Sequence, residues 1–251
     1  MHRARGVDLG QYRRSYVLRR LASRARALDL PDLEAYAGYV ESQSKEVDEL
    51  LRTLSVQVTQ FFRNPSFFRF LERRVLPDLL DGRTGPAPSI WSAGCATGEE
   101  AYSIAMLLAS RGAPAEATIL ATDIDRAAML TARSAVYPRS RARAVPPALA
   151  ARYLAPVSPT HVRVAPDAAR HVSFRAADLF RARRRPMFDL IVCRNVLIYV
   201  EPERQRELLA RFVCALRPGG FLALGRAERL TGPAREKLQT LSATERVYRR
   251  S

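Results

Sequence analysis

The sequence predicts an α/β protein, a doubly wound and mostly parallel sheet preceded by an all-helical unit. Three observations carry this. Beyond residue 88, short apolar runs alternate with segments of helical periodicity. The stretch Ser89–Ser110, SIWSAGCATGEEAYSIAMLLAS, reads as strand, glycine turn and helix in that order, the first half of a Rossmann-like site. Residues 1–82, by contrast, read as successive helices with no strand pattern, which separates them as a unit of their own.

Taken in order, Asp8–Leu28 places Leu9, Tyr12, Tyr16, Leu18 and Leu21 mostly at helical spacing, with arginines between them. This is the pattern of a basic amphipathic helix. Pro31-Asp32 opens a second helix through Tyr39. Ser44–Leu54 is a third, with Val47, Leu50, Leu51 and Leu54 inward. Gln57–Arg63 is a connector ending in two aromatics, and Pro65–Leu76 is another helix. The linker DGRTGPAP at 81–88 has the turn chemistry of a domain boundary. Strand 90–93, helix 99–109, strand 118–123 and helix 126–134 follow. Residues 135–170 are rich in proline and arginine, with a short strand expected at 162–164. Strands at 171–174, 188–193, 221–225 and 246–249 complete the sheet, with a helix at 203–216. FDLIVC is apolar on both alternating faces, as a fully covered strand requires.

Hydrophobic content of 47% and charged content of 26% are those of a soluble globular chain. No apolar run reaches the length of a membrane span, and the N-terminus leads into no signal core. Cys95, Cys193 and Cys214 lack paired spacing and suit a reducing cytoplasm. His2, His161 and His171 share no metal-ligand spacing, so no metal is expected. The net charge of +16 is carried almost wholly by arginine, beside only Lys45 and Lys237. Codon composition alone can produce such an excess, but its distribution is uneven. Residues 1–26 hold eight arginines against Asp8, and residues 133–186 hold twelve against Asp167 and Asp178. Clustered charge of this kind attracts an acidic partner.

The turn spacing is Gly94-x-x-x-Gly98, which weakens a pyrophosphate cradle. A nucleoside without pyrophosphate, such as S-adenosylmethionine, still needs the close backbone approach that glycine permits. Asp123 ends the second strand 25 residues after Gly98, where a carboxylate can accept both ribose hydroxyls. Thr97-Gly98-Glu99-Glu100 matches a capping box, with Glu100 reaching back to the Thr97 amide. Arg194-Asn195 closes the central apolar strand at the edge where open α/β sheets bind ligands. Tyr199, four residues on, is equally consistent with a packing tyrosine.

Several stretches together resemble the chemotaxis receptor methyltransferase (CheR) family. They are YRRSYVLRRLASR, VTQFFRNPSFF, WSAGCATGEEAYS, ATDIDRAAMLTARSAVY, FDLIVCRNVLIYV, LRPGGFLALG and a closing VY, spanning almost the whole chain. The resemblance implies a class I S-adenosylmethionine-dependent methyltransferase fold. It has an N-terminal helical domain (1–82) and a catalytic domain (83–251), with a small antiparallel β-subdomain inserted at about 140–175. It implies methyl transfer from S-adenosylmethionine to glutamates on the cytoplasmic helices of chemoreceptors, giving methyl esters and S-adenosylhomocysteine. The expected protein is a cytoplasmic monomer that inserts in no membrane and binds no nucleic acid. The cofactor contacts implied are Gln57, Thr59, Arg63, Gly94, Glu100, Asp123, Asp178, Leu179, Arg194 and Asn195, with Asp178-Leu179 at the adenine. Arg63 and Tyr199 are implied as catalytic residues that hold the substrate, and the basic N-terminal helix as a docking face. The usual asparagine is Gln57 here, and the usual Gly-His-Ser-Glu reads Gly225-Arg226-Ala227-Glu228.

A carboxylate with a pKa of about 4.3 is already ionised at neutral pH and needs no general base to attack a sulfonium methyl. Two other readings stay open on sequence. A nucleic-acid methyltransferase would explain the charge, but the strand end reads Arg194-Asn195-Val196-Leu197 and the basic clusters lack interleaved aromatics. A non-catalytic cofactor- or receptor-binding module would explain the two departures, against which stand Arg63 and Tyr199.

Overall fold

The computed structural model describes residues 3–4, 7–54, 59–82, 85–181 and 187–251, so Gln57 lies outside the described residues. Strands Arg3–Ala4 (β1) and Val7–Asp8 (β2) pair antiparallel ahead of a 3-10 turn, Leu9–Gln11. Helices Arg14–Ala27 (α1), Leu33–Ser42 (α2) and Ser44–Leu54 (α3) follow. Asp32 starts α2 by accepting from the Glu34 and Ala35 amides, which the first turn leaves without partners. Tyr16, Tyr36, Val40, Leu50 and Leu54 are buried, whereas Leu18 turns outward and is 40% exposed. Arg24 is no free surface charge. It donates twice to Glu46, at 2.8 and 2.7 Å, and the Tyr36 hydroxyl shares that carboxylate at 2.8 Å.

Pro65–Phe70 (α4) continues through a π turn, Leu71–Val75, into Leu76–Leu80 (α5). The expected single helix over 65–76 is thus longer and irregular. Pro77 has no N–H to donate within the helix, and the Leu76 amide bonds the Leu71 carbonyl instead.

Ser89–Ala93 (β3), Glu99–Ser110 (α6), Thr118–Asp123 (β4) and Arg126–Ser134 (α7) then lead into a small sheet. Its strands are Val136–Pro138 (β5), Leu154–Pro156 (β6) and His161–Val164 (β7), all antiparallel with β7 central. Helices Pro147–Tyr153 (α8) and Pro166–Ala169 (α9) flank it. The chain then returns to the large sheet through Val172–Ala176 (β8), Phe188–Cys193 (β9), helix Pro202–Ala215 (α10), Leu216–Leu224 (β10), Leu238–Ser242 (β11) and Val247–Arg250 (β12).

The large sheet has the order β11-β12-β10-β9-β3-β4-β8, with β12 antiparallel to both its neighbours. β3, β4, β8, β9 and β10 run parallel. In β9 every residue is buried. Leu190 and Val192 face one core cluster with Ile90 and α6, and Ile191 and Cys193 face the other with Trp91 and α10. Strand order reverses between β3 and β9, so their carboxyl ends form the crevice where such sheets bind ligands.

The small sheet spans 136–164 rather than 140–175, because Val172–Ala176 belongs to the large sheet beside β4. The early start follows from Ala135, whose φ of +54° ends α7 and lets Val136 enter a strand at once. Among the described residues, no helix is long and apolar enough to cross a membrane, and no group of His, Cys, Asp and Glu could hold a metal ion.

Candidate active site

The turn after β3 is fixed by its neighbours on the β4 side. The Gly94 and Cys95 amides donate to the Thr122 carbonyl at 2.8 and 3.0 Å. Gly94 has φ +81°, and a Cβ there would stand 2.3 Å from Val196 Cγ2. Gly98, at φ +94°, would place a Cβ 2.9 Å from Ala132 Cβ. Both glycines are therefore required by packing as well as by backbone sign. Asp123 closes β4 beneath this turn. Its two carboxylate oxygens accept from the Ala96 amide at 2.8 Å and the Asp125 amide at 3.0 Å. Burial raises its pKa above the usual carboxylate value, and those amide bonds pull the other way.

The capping box is not formed. Gly98 is the N-cap, Thr97 Oγ1 donates to Glu99 at 2.7 Å, and Glu99 is fully buried. Glu100 turns instead toward the sheet, accepting from Ser92 Oγ at 2.9 Å and Arg194 at 3.3 Å. Glycine's positive φ at position 98 removes the threonine from the capping position. From the 3-10 turn Arg139–Ala142 that follows β5, Arg141 donates to Thr97 Oγ1 at 2.8 Å and to Glu99 at 2.5 Å, and from β5 the Tyr137 hydroxyl donates to the Thr97 carbonyl at 2.7 Å. The inserted segment thereby clamps the turn.

Arg194 directly follows β9 with its guanidinium buried, the side chain only 3% exposed. It donates to Glu100, to the Arg63 carbonyl at 3.2 Å and to Asn64 Oδ1 at 2.7 Å, and lies 4.0 Å from the centre of the Phe67 ring. Burial lowers its pKa, and Glu100 opposes that. Its contacts link connector, sheet and turn. Arg63 itself sits between Phe62 and Asn64, whose φ values are +52° and +64°. Phe62 is buried, and its amide donates to Ser103 Oγ at 2.9 Å, so α6 and the aromatic core hold this bent backbone.

After β9, Asn195 takes φ +61°. The loop it opens is held by Glu228, which accepts from the amides of Asn195 (3.1 Å), Val196 (2.8 Å), Leu197 (2.7 Å) and Gly225 (2.5 Å). In the sequence Glu228 stands out only as the last residue of the departing Gly225-Arg226-Ala227-Glu228 stretch. Arg226 from the same stretch donates to Ser66 Oγ at 2.6 Å and to Glu245 at 2.8 Å. Tyr199 stacks on Tyr16, ring centres 4.6 Å apart, and its carbonyl accepts from the Arg13 amide at 2.9 Å.

These residues line two adjoining chambers. One holds Tyr12, Asp123, Asp178, Leu179, Phe180 and Val200. The other holds Thr59, Arg63, Cys95, Glu100, Arg194 and Ile198. Gly94, Ala96, Asn195 and Tyr199 line both. Every expected contact among the described residues is thus brought to one crevice. Tyr12 joins them from long range and Phe180 from beside Leu179, while Glu228 holds the Asn195 loop without lining either chamber.

The first chamber fits a nucleoside. Asp178 Oδ1 accepts from the Phe180 amide at 2.9 Å, while Oδ2 is buried without a hydrogen bond and has Arg181 Nε at 3.8 Å. A base amino group supplies the donor such an acceptor requires. With Asp123 at the ribose position, Asp178 and Leu179 would hold the adenosine of S-adenosylmethionine.

Two family models match the chain: "CheR methyltransferase, all-alpha domain" over residues 1–55, and "CheR methyltransferase, SAM binding domain" over residues 57–247. A chemotaxis protein methyltransferase of Salmonella typhimurium is 34% identical over 92% of this chain and 81% of its own length. One from Escherichia coli is 35% identical over 89% and 79%. An uncharacterized 104.1 kDa protein of Rhodobacter capsulatus is 31% identical over 96% of this chain, which spans only 26% of that protein. The matched domains cover nearly all of the sequence, and the chain belongs to the CheR methyltransferase family.

Proposed function

We propose that this protein methylates glutamate side chains on the cytoplasmic helices of chemoreceptors, forming glutamyl methyl esters in sensory adaptation. The observation that carries the reading is the pair of adjoining chambers, one lined by Asp123 and Asp178 and the other by Arg63 and Tyr199. The relatives named chemotaxis protein methyltransferase support the same reaction class.

Bound S-adenosylmethionine supplies a methyl group on a sulfonium, open to displacement by an ionised carboxylate. The residues of this chain have only to hold and aim. Asp123 accepts from the ribose, Asp178 and Leu179 receive the adenine, and Gly94, Thr59, Glu100 and Asn195 line the path to the second chamber. Gln57 belongs to the same contact set by family likeness. Arg194 acts one layer back, fixing Glu100 and the Arg63–Asn64 backbone through its hydrogen bonds. Arg63 and Tyr199 orient the incoming glutamate. No proton transfer is needed, so rate comes from alignment and from exclusion of water. Too close a pairing of Arg63 with the nucleophile would stabilise the ground state and slow the step. The enzyme acts as a cytoplasmic monomer.

Incubation with methyl-labelled S-adenosylmethionine and receptor cytoplasmic fragments tests this. Base-labile label on receptor protein is expected. Base-stable label, or label on RNA in place of receptor, would sink the reading.

A further inference from the structure

The N-terminal segment does more than lead into α1. Asp8 caps the 3-10 turn by accepting from the Gly10 amide at 3.0 Å, and Leu9 and Gln11 are buried. Tyr12 then becomes extended and forms an antiparallel bridge with Val200. Bonds on either side lock it: the Glu201 amide donates to the Gln11 carbonyl at 3.0 Å, and the Arg13 amide donates to the Tyr199 carbonyl at 2.9 Å. The Arg14 amide adds a bond to the Glu201 carboxylate at 3.1 Å. Four consecutive residues, 11 to 14, are thereby fixed to the loop that carries Tyr199.

This docking sets the Tyr12 side chain into the nucleoside chamber with Asp123 and Asp178. It packs in part on the cluster of Leu9, Tyr16, Val17, Leu50 and Leu54, and it also faces the chamber that holds the two carboxylates. Burial is the main reason its pKa is raised, and the carboxylates of Asp178 and Asp123 add to it. The phenol therefore stays protonated and keeps a donor to offer. Both carboxylates in the chamber are acceptors, so a nucleoside there would meet acceptors on one side and a neutral ring with one O–H on another. Flat aromatic surface against a purine or ribose face adds apolar contact at little entropic cost.

We infer that Tyr12 is a cofactor-binding residue, contributed by the N-terminal unit as the roof of the adenosine chamber. The inference rests on the nucleoside reading of that chamber. It adds a ligand contact from residues 1–55, the part of the chain matched by the all-alpha family model and not by the SAM binding one. It also ties two functions to one segment, since the same backbone bonds that place Tyr12 hold Tyr199 on the far side.

Calorimetric titration of S-adenosylhomocysteine into the full chain and two variants tests it. Tyr12→Ala removes the roof and is expected to weaken binding at least tenfold. Tyr12→Phe keeps the ring and should lie within about threefold to fivefold of the parent, the scale of one neutral hydrogen bond. Hydrogen exchange on the unmutated chain guards against a misfolded variant. Saturating ligand should slow exchange of the amides at 11–16 together with those of the turn at 94–98. Affinity unchanged within twofold in folded Tyr12→Ala overturns the inference, as does protection of 94–98 with none at 11–16. If the parent chain takes up no S-adenosylhomocysteine, the nucleoside reading falls first and this inference with it.

Discussion

Glu228 accepts from the backbone amide of Leu197 at 2.7 Å across 31 residues of sequence, and three further amides converge on the same buried carboxylate. A carboxylate is suited to this because it offers acceptors and no donors. The strand ends of β9 and β10 are joined through it, and the loop bearing Asn195 and Tyr199 takes its shape from that join. Gly225 is required here as well, since a Cβ would come within 2.7 Å of Glu228 Oε2.

Glu228→Gln is expected to disturb this loop more than its size suggests. The new amide turns an N–H₂ toward backbone donors, so at least one buried donor loses its acceptor, at about 1–3 kcal/mol. The melting temperature should fall, and turnover at saturating substrates should drop about tenfold or more. S-adenosylhomocysteine affinity should change less, because Asp123 and Asp178 stand on other elements. Equal loss in turnover and in cofactor affinity would show a general collapse of the crevice and not a misplaced Tyr199.

Arg141 and Glu99 give a second prediction. Glu99 is fully buried, and Arg141, reaching in from the turn after β5, supplies its charged partner. Arg141→Met leaves that carboxylate with the Thr97 hydroxyl alone and should cost about 1–3 kcal/mol. The double variant with Glu99→Gln should recover part of the loss. Chemical denaturation of the four proteins measures the coupling. Additive single effects would mean that the clamp on the turn contributes nothing as a pair.

Burial raises the pKa values of Asp123 and Asp178, which fixes the sign of a pH effect. A folded pKa above the unfolded one means that stability from this source is greatest at low pH and is lost as pH rises through the folded value. On the proposed contacts ligand binding has the opposite sense, since ribose hydroxyls and an adenine amino group donate more strongly to ionised carboxylates. S-adenosylhomocysteine affinity should therefore be level near neutrality. It should weaken on acidification at pH values above 3.8, the ordinary carboxylate value. Calorimetry from pH 7.5 downward checks this, and affinity that stays level until the protein unfolds would falsify it.

Much of the crevice was legible in the sequence because its parts are local. Strand, glycine turn and helix at 89–110, and Asp123 at the end of the next strand, are each set by short-range periodicity and turn chemistry. What stayed hidden is long-range. Tyr12 meets its strand partner Val200 only when the chain closes over a separation such as the 187 positions from Arg13 to Val200. Glu228 reads as an ordinary loop acid until three amides from another strand end arrive. The strand Leu238–Ser242 was missed because LQTLS carries too weak an alternation, its exposed Gln239 and Thr240 beside a buried Leu238. The sequence extends a helix to residue 216, yet β10 already begins at Leu216 and shifts register between Leu216 and Phe221. The capping box failed for a different reason. Its spacing is correct, but a packing demand at Gly98 decides the backbone there.

The basic face of α1 supplies the last prediction. Receptor methylation regions are acidic helices on the proposed function, and an arginine-rich helix beside the crevice offers them a complementary surface. The arginines are not equivalent. Arg24 is committed to Glu46, and Arg13 Nε donates to the Val200 carbonyl at 3.4 Å. Arg20 is half-buried over the Tyr16 ring, 5.3 Å from its centre. Arg19, 5.7 Å from the same ring centre, and Arg26 are exposed and seven residues apart, two turns along one face. Charge reversal at these two should thus act on docking without breaking the fold, whereas reversal at Arg24 should also unseat α3. The variant Arg19→Glu with Arg26→Glu is expected to raise the apparent KM for receptor severalfold in dilute buffer. The difference should shrink as salt brings the Debye length to about 8 Å. S-adenosylhomocysteine affinity should stay within twofold. Unaltered receptor kinetics at low salt would leave α1 as a solvated support for Tyr12 and Tyr16 and remove it from substrate recognition.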